Sequence, residues 1–202
     1  MTPQRIGIYG GSFSPPHMGH FQAAQAFLEA EKPDRLLIVP ASIPPHKTLE
    51  DGVDAQMRAQ MCRLCFSALP NTEISDLELR REGRSYTYLT LRELWKEGRV
   101  LLLLCGTDMF LTLDEWYLPS EIFARAEIVC MRREEDAEIF PLIQAKRKQY
   151  EKEFSATVRF LDADPVVVSS TEIRERIKRN ESTAGLLSKE VREYIDQWNL
   201  YR

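Results

Sequence analysis

The chain has 202 residues, of which 44% are hydrophobic and 29% charged, enough apolar material for one substantial core. A formal net charge of −4 argues against a protein whose task is to neutralise long nucleic acid, and no run approaches the roughly 18 apolar residues that a membrane span needs. The N-terminus leads almost directly into an apolar run without a signal-peptide pattern, so the cytoplasm is the expected location.

Residues 5–9 (R-I-G-I-Y) predict a short buried strand. In residues 19–31, Phe21, Ala24, Phe27 and Leu28 recur at helical spacing, and Pro33 stops that helix. Residues 35–39 (R-L-L-I-V) suit a parallel strand covered on both faces. A loop over 40–53 follows, then a helix over 54–68 with Met57, Met61, Leu64 and Cys65 facing inward. Residues 73–79 alternate as a half-exposed strand does, and 87–97 read as a helix with Leu91, Leu94 and Trp95 in the core. The most apolar run, V-L-L-L-L-C over 100–105, predicts a central strand. Short helical pieces around Trp116 and Ile122 lead to a strand over 127–131 and a charged outer helix over 134–153. A strand over 157–161, an extended-to-helix passage through V-V-V-S-S-T-E-I-R-E-R-I and a last amphipathic helix over 189–198 complete the chain. This alternation implies an α/β, Rossmann-like, doubly wound and mainly parallel sheet with helices on both faces. One domain over 1–202 is expected, with the helical segment from about residue 170 packed on the core.

Ligands of such sheets bind beyond the carboxyl ends of the strands. Three polar breaks follow predicted strands here, G-G-S-F-S-P-P-H, P-A-S-I-P-P-H-K and C-G-T-D-M-F, and S-S-T-E-I-R follows a further extended run. All three histidines, His17, His20 and His46, lie in these breaks. A strand, a Gly-rich turn and a helix N-terminus bring backbone N–H groups and a positive dipole end to one point, which suits phosphate. His17 and His20, three residues apart, share one side of a first helical turn and can follow charge developing on a phosphoryl group. Taken without its neighbours, H-x-x-H reads equally as a helix cap, and a metal pair lacks further ligands nearby. In the late break, Ser169 and Glu172 fit a capping box, while Ser169, Ser170 and Thr171 with Arg174 one turn on also fit a phosphate cradle. Cys62 and Cys65 form a C-x-x-C inside a helical pattern, with no second pair to complete a zinc site.

The stretch over 6–20 resembles the nucleotidylyltransferase signature G-x-F-x-P-x-H-x-G-H, and S-S-T-E-I-R resembles the late S-S-T-x-I-R of the same superfamily. With Pro44-Pro45-His46-Lys47, Arg58, Ser85-Tyr86-Thr87, Gly106-Thr107-Asp108, Trp116-Tyr117 and the segment from Leu186 to Tyr201, the order is similar to bacterial-type nicotinate-nucleotide adenylyltransferases over nearly the whole chain. Two positions depart from that pattern: Ser14 stands for a usual aspartate and Ser188 for a usual proline. The resemblance implies adenylyl transfer from ATP to nicotinate mononucleotide, with His17, His20, Lys47 and Arg174 catalytic. It implies ATP contacts by Gly10, Gly11, Ser12, Phe13, Gly106, Asp108, Ser169, Ser170 and Thr171, with the ribose hydroxyls held at Gly106 and Asp108. It further implies substrate contacts by His46, Thr87, Trp116 and Tyr117; Trp116 also reads as an ordinary core tryptophan. Mg²⁺ is implied as a companion of the substrate phosphates, with no metal ligands of its own on the protein. ATP and nicotinate mononucleotide are the expected partners, with no nucleic acid and no membrane, and homo-oligomer formation stays open.

Rival readings are an adenylyltransferase for nicotinamide mononucleotide or another phosphate monoester, and a non-catalytic nucleotide-binding domain. The loop over 43–52, with two prolines and the polar stretch Glu50, Asp51 and Gly52, is expected to order on substrate binding.

Overall fold

The computed structural model describes residues 2–45, 52–131, 139–161 and 168–202. Among these residues six strands, β1 (Gln4–Gly11), β2 (Arg35–Pro40), β3 (Thr72–Ile74), β4 (Arg99–Gly106), β5 (Ala126–Met131) and β6 (Val158–Leu161), form a sheet in the order β3-β2-β1-β4-β5-β6. β4 runs parallel to both β1 and β5, and β6 parallel to β5. The helices are α1 (Met18–Glu31), α2 (Ala55–Phe66), α3 (Thr87–Leu94), α4 (Thr107–Leu111), α5 (Pro119–Phe123), α6 (Ile139–Phe154), α7 (Ser170–Lys178) and α8 (Lys189–Gln197). This is the expected Rossmann-like α/β class, and the strand order reverses between β1 and β4. The chain sorts into two compact units, one of Met1–Gly10, Ala26–Leu37 and Tyr86–Asp164, the other of Gly11–Gln25, Ile38–Ser85 and Pro165–Arg202.

In the first unit, Ile6 and Ile8 pair with Leu101 and Leu103, and all four are buried, as a strand covered on both faces requires. Gly7 is where helix meets sheet: a Cβ there would sit 2.5 Å from the ring of Phe27 and 3.0 Å from Leu36. Glu31 receives Arg5 at 2.8 Å and Arg159 at 2.7 Å, and Arg159 also pairs with Glu127, tying α1, β1, β5 and β6 together. α6 is less of a solvated outer helix than its charge suggests, because Ile143 and Tyr150 are buried. Trp95, expected in the core, is 51% exposed. α3 ends at Leu94, and the extended ψ of 129° at Trp95 turns the following chain away from the helix, so Trp95 stands at its open C-terminal end.

In the second unit, α2 is capped by Asp54, which accepts the N–H of Met57 at 2.7 Å. Its buried face is Arg58, Ala59, Met61, Cys62, Cys65 and Phe66, whereas Met57 and Leu64 are only half-buried. The strand expected over 73–79 shrinks to β3, because the Ser75 hydroxyl accepts the N–H of Leu77 and Arg80 N–H bonds Asp76 O, which together turn the chain.

All four cysteines are free and buried. Burial pushes the Cys62 thiol well above its usual range and Cys65 up to about 12. Thiols in that state are poor nucleophiles and poor metal ligands, so C-x-x-C is packing here. No helix among the described residues is long and apolar enough to cross a membrane.

Candidate active site

β1 and β4 stand side by side, and the last residue pair between them is Tyr9 with Leu104. Gly10 follows directly, and β4 ends at Gly106, so both glycines mark the carboxyl ends of adjacent strands at the point where the strand order reverses. A Cβ at Gly10 would meet nothing within 4 Å, so the protein's own packing does not call for a glycine there. Gly11 differs: its Cβ would lie 2.9 Å from the ring of Phe13. Phe13 takes a left-handed φ of 48°, and its buried ring packs edge-on against His20, with centroids 5.0 Å apart, and against Phe66. The phenyl ring is therefore a support for the imidazole.

His17 and His20 cap α1 reciprocally. His20 N–H bonds Nδ1 of His17 at 3.4 Å, and His17 N–H bonds Nδ1 of His20 at 3.2 Å. This is the topology of a capping box built from two imidazoles, and it brings their centroids to 3.7 Å. An Nδ1 that accepts carries no proton, so in each neutral ring the proton resides on Nε2. The capping and phosphate-binding readings of H-x-x-H are thus compatible: the cap sets the tautomer, and the tautomer supplies an Nε2–H donor.

The second loop is held against the first by main-chain bonds. Ala41 N–H donates to Gly11 O at 2.9 Å. Arg58, only 2% exposed, donates to Ser12 O at 2.7 Å and to Ser42 O at 3.0 Å. Ser85 extends this brace, its hydroxyl accepting Ser42 N–H at 2.9 Å and its N–H bonding Ile43 O at 2.9 Å. Sequence reasoning placed Arg58 in the family pattern without a role; its position on a helix gives no sign that its partners are carbonyls. His46 and Lys47, and the centre of the loop expected to order on binding, lie outside the described residues.

α7 brings the late motif to the same loop. Arg174 donates to Ser14 O at 2.8 Å and to the Thr171 hydroxyl at 3.1 Å, and the Ser170 hydroxyl donates to Pro15 O at 2.9 Å. Ser169 is the N-cap of α7, accepting Glu172 N–H at 3.0 Å, while the Glu172 carboxylate turns to Arg176. The Met18 N–H at the start of α1 bonds Leu186 O at 2.9 Å. His17, His20, Ser12, Phe13, Ser170 and Arg174 are accordingly brought together around residues 11–20.

In the first unit, Thr107 is buried and donates to Met131 O at 3.4 Å, while Asp108 is exposed in the first turn of α4. α3 begins at Thr87, and Tyr86 before it makes no side-chain cap. Trp116 is half-buried, its N–H bonding Leu113 O at the end of a 3-10 turn (Leu113–Glu115). Tyr117 is 53% exposed and packs tilted against Tyr86 and edge-on against Tyr88, at centroid distances of 4.7 and 5.4 Å. Tyr88, with Arg92 over its ring at 5.7 Å, is a member of this cluster that sequence reasoning passed over, although S-Y-T-Y hints at it. Elsewhere in the same unit, Asp114 receives Lys146 at 2.7 Å and Tyr150 at 2.9 Å, and the Tyr150 hydroxyl also bonds Phe110 O at 2.7 Å. Burial works against the Asp114 carboxylate, but the bonds from Lys146 and Tyr150 outweigh it and hold the carboxyl below its usual range. Burial, then the bond to Asp114, pushes the Tyr150 hydroxyl well up. Among the described residues no group of three or more His, Cys, Asp or Glu is placed to hold a metal ion.

The sequence profile of the cytidylyltransferase-like family matches residues 8–176. A probable nicotinate-nucleotide adenylyltransferase of Trichlorobacter lovleyi is 34% identical over 211 residues, covering 98% of this chain and 99% of that one. The chain belongs to this nicotinate-nucleotide adenylyltransferase group of the cytidylyltransferase-like family. The nicotinate-nucleotide adenylyltransferase of Bacillus subtilis is 32% identical over 200 residues, with 98% of each chain covered. In fold the chain resembles the Plasmodium falciparum nicotinic acid mononucleotide adenylyltransferase complexed with NaAD, with a TM-score of 0.77 at 16% identity over 98% of this chain and 97% of that one.

For this adenylyltransferase-family chain, both departures from the expected pattern have a physical account. Ser188, where a proline was usual, is the N-cap of α8 and accepts Val191 N–H at 3.3 Å, so a hydroxyl cap does the work of a preset φ. Ser14, where an aspartate was usual, is buried with its hydroxyl 3.0 Å from that of Tyr201.

Proposed function

We propose that this chain transfers the adenylyl group of ATP to the 5′-phosphate of nicotinate mononucleotide, giving nicotinate adenine dinucleotide and pyrophosphate. The observation that carries this reading is the convergence of His17, His20 and Arg174 on one loop, with Arg174 bonded to Ser14 O at 2.8 Å. A phosphate monoester has a second pKa near ~6, so the nucleophile is already largely dianionic at neutral pH and needs no strong base. One of its oxygens attacks the α-phosphorus as the bond to the pyrophosphate oxygen breaks, and that electron pair leaves with pyrophosphate. Catalysis is then a matter of position and charge.

In this reading His17 and His20 donate to the ATP phosphates, His20 nearest the reacting group, and Lys47, helped by His46, neutralises phosphate charge. The N-terminus of α7 with Ser169, Ser170, Thr171 and Arg174 takes the far end of the triphosphate. Gly10 leaves room for close backbone approach, with Gly11, Ser12 and Phe13 completing that contact, and Gly106 and Asp108 hold ribose hydroxyls. Trp116 stacks on the pyridine ring, and backbone N–H groups near Thr87 and Tyr117 receive its carboxylate. The uncapped start of α3 supports that last assignment. Mg²⁺ prefers oxygen ligands, and among the described residues the imidazoles have no carboxylates grouped with them, so Mg²⁺ would enter on the triphosphate, where it would neutralise oxygen charge. The cytoplasm, where ATP is made and used, is the proposed location.

The test is pyrophosphate release by the purified protein with Mg²⁺–ATP and either nicotinate or nicotinamide mononucleotide. Turnover with the acid form above the amide form is expected, and His20→Ala should lower kcat by about 10²–10³ with the circular dichroism spectrum unchanged. No pyrophosphate with either mononucleotide would overturn the reading.

A further inference from the structure

We propose that Tyr201 is a positioning residue for the catalytic histidines, acting through the hydroxyl of Ser14; this rests on the adenylyl-transfer reading above. Both residues are almost fully buried, at 4% and 1% exposure, and their hydroxyls are 3.0 Å apart. Getting Tyr201 there takes two left-handed residues after α8, Asn199 at φ 51° and Tyr201 itself at φ 62°. A bulky side chain is uncommon in that region, so the surrounding structure holds it against a local preference. Leu200 N–H bonds Ile195 O at 3.0 Å between them, and Leu200 is buried as well.

Ser14 is the residue through which such a hold reaches the chemistry. Its side chain meets Tyr201 and its carbonyl receives Arg174 at 2.8 Å, so one residue is gripped from both the side chain and the main chain. The next two residues are prolines with φ preset by their rings, and then comes His17. A displacement of Ser14 therefore passes along a stiff link and not into a flexible loop. The Ser170 bond to Pro15 O holds the middle of that link from α7. Since His17 and His20 cap each other, moving the first moves the second.

Tyr201→Phe keeps the ring and removes only the hydroxyl. In the full-length chain it should lower kcat for pyrophosphate release about tenfold while the KM for ATP stays within about twofold, since a fraction of an ångström of misplacement is felt in the transition state before the ground state. Ser14→Ala should do the same, and the double variant should be no worse than either single one, because each removes the same contact. The imidazole ¹⁵N signals of His17 and His20 should shift in Tyr201→Phe, a readout that needs no turnover. An unchanged kcat in Tyr201→Phe, additive losses in the double variant, or unmoved His17 and His20 signals would overturn the proposal. A wild-type chain without turnover would sink the adenylyl-transfer reading instead, and the imidazole signals would still decide whether Tyr201 places the histidines.

Discussion

Around the loop between β1 and α1, most of the holds fall on main-chain oxygens: Arg58 on Ser12 and Ser42, Ala41 on Gly11, Arg174 on Ser14 and Ser170 on Pro15. In the aromatic segment of the first unit, more of the holds fall on side chains, with Asp114 receiving Lys146 and Tyr150, and an exposed Tyr117 packed against Tyr86 and Tyr88. A carbonyl cannot rotate away from its chain, so bonds to it fix the path of a loop. A ring can tilt on χ1 and χ2, and stacking tolerates a range of angles. On the function proposed above, the difference suits two tasks: in-line transfer at phosphorus demands a fixed geometry, whereas a pyridine ring needs a surface.

The change that should break this contrast most severely is Arg58→Met. The stem is kept, but Ser12 O and Ser42 O lose charge-assisted bonds in a buried setting. Urea unfolding should show a loss of about 2–4 kcal/mol. A variant within about 0.5 kcal/mol of wild type would mean that the two loops hold themselves without it.

A smaller effect is expected on the side-chain region. The Asp114 carboxyl lies below its usual range in the folded state, so its contribution is present above the unfolded value of about 4 and is lost as pH falls through the folded one. Asp114→Asn should therefore cost about 1–2 kcal/mol in urea melts near pH 7, with the gap to wild type closing below about pH 4. A gap independent of pH would show that charge is not what Asp114 supplies. The smallest effect belongs to Tyr117→Ala, expected to raise the KM for the mononucleotide about threefold with Tm unchanged, since the ring is exposed and its partners are other rings. A tenfold fall in kcat would sharpen the comparison the other way, making the aromatic surface part of the fixed geometry.

Much of this architecture was legible in the residues. The V-L-L-L-L-C run could only be a buried strand, and β4 is that strand. The histidine loop stood out because glycines, prolines and two of the three histidines of the chain fall together, and the late S-S-T-E-I-R meets it through Ser170 on Pro15 O and Arg174 on Ser14 O. What stayed hidden has common physical causes. The inward face of α2 includes Arg58, and a periodic reading assigns charge to the outside. The strand over 73–79 is cut short by one serine hydroxyl that competes for the backbone. Trp95 stands at the open C-terminal end of a helix that stops at Leu94. Tyr150 carries no local signal that its hydroxyl bonds Phe110 O and Asp114, because its partners lie 40 and 36 residues away.

The hydroxyl pair of Ser14 and Tyr201 joins positions 187 residues apart. A ribosome working at roughly 5–20 residues per second makes them roughly 10–40 s apart, so the histidine loop emerges long before its last clasp exists. During synthesis, and in any copy clipped just upstream of Tyr201, the histidine loop would lack this hold, and on the positioning proposal above transfer would run about tenfold below the rate of the intact chain.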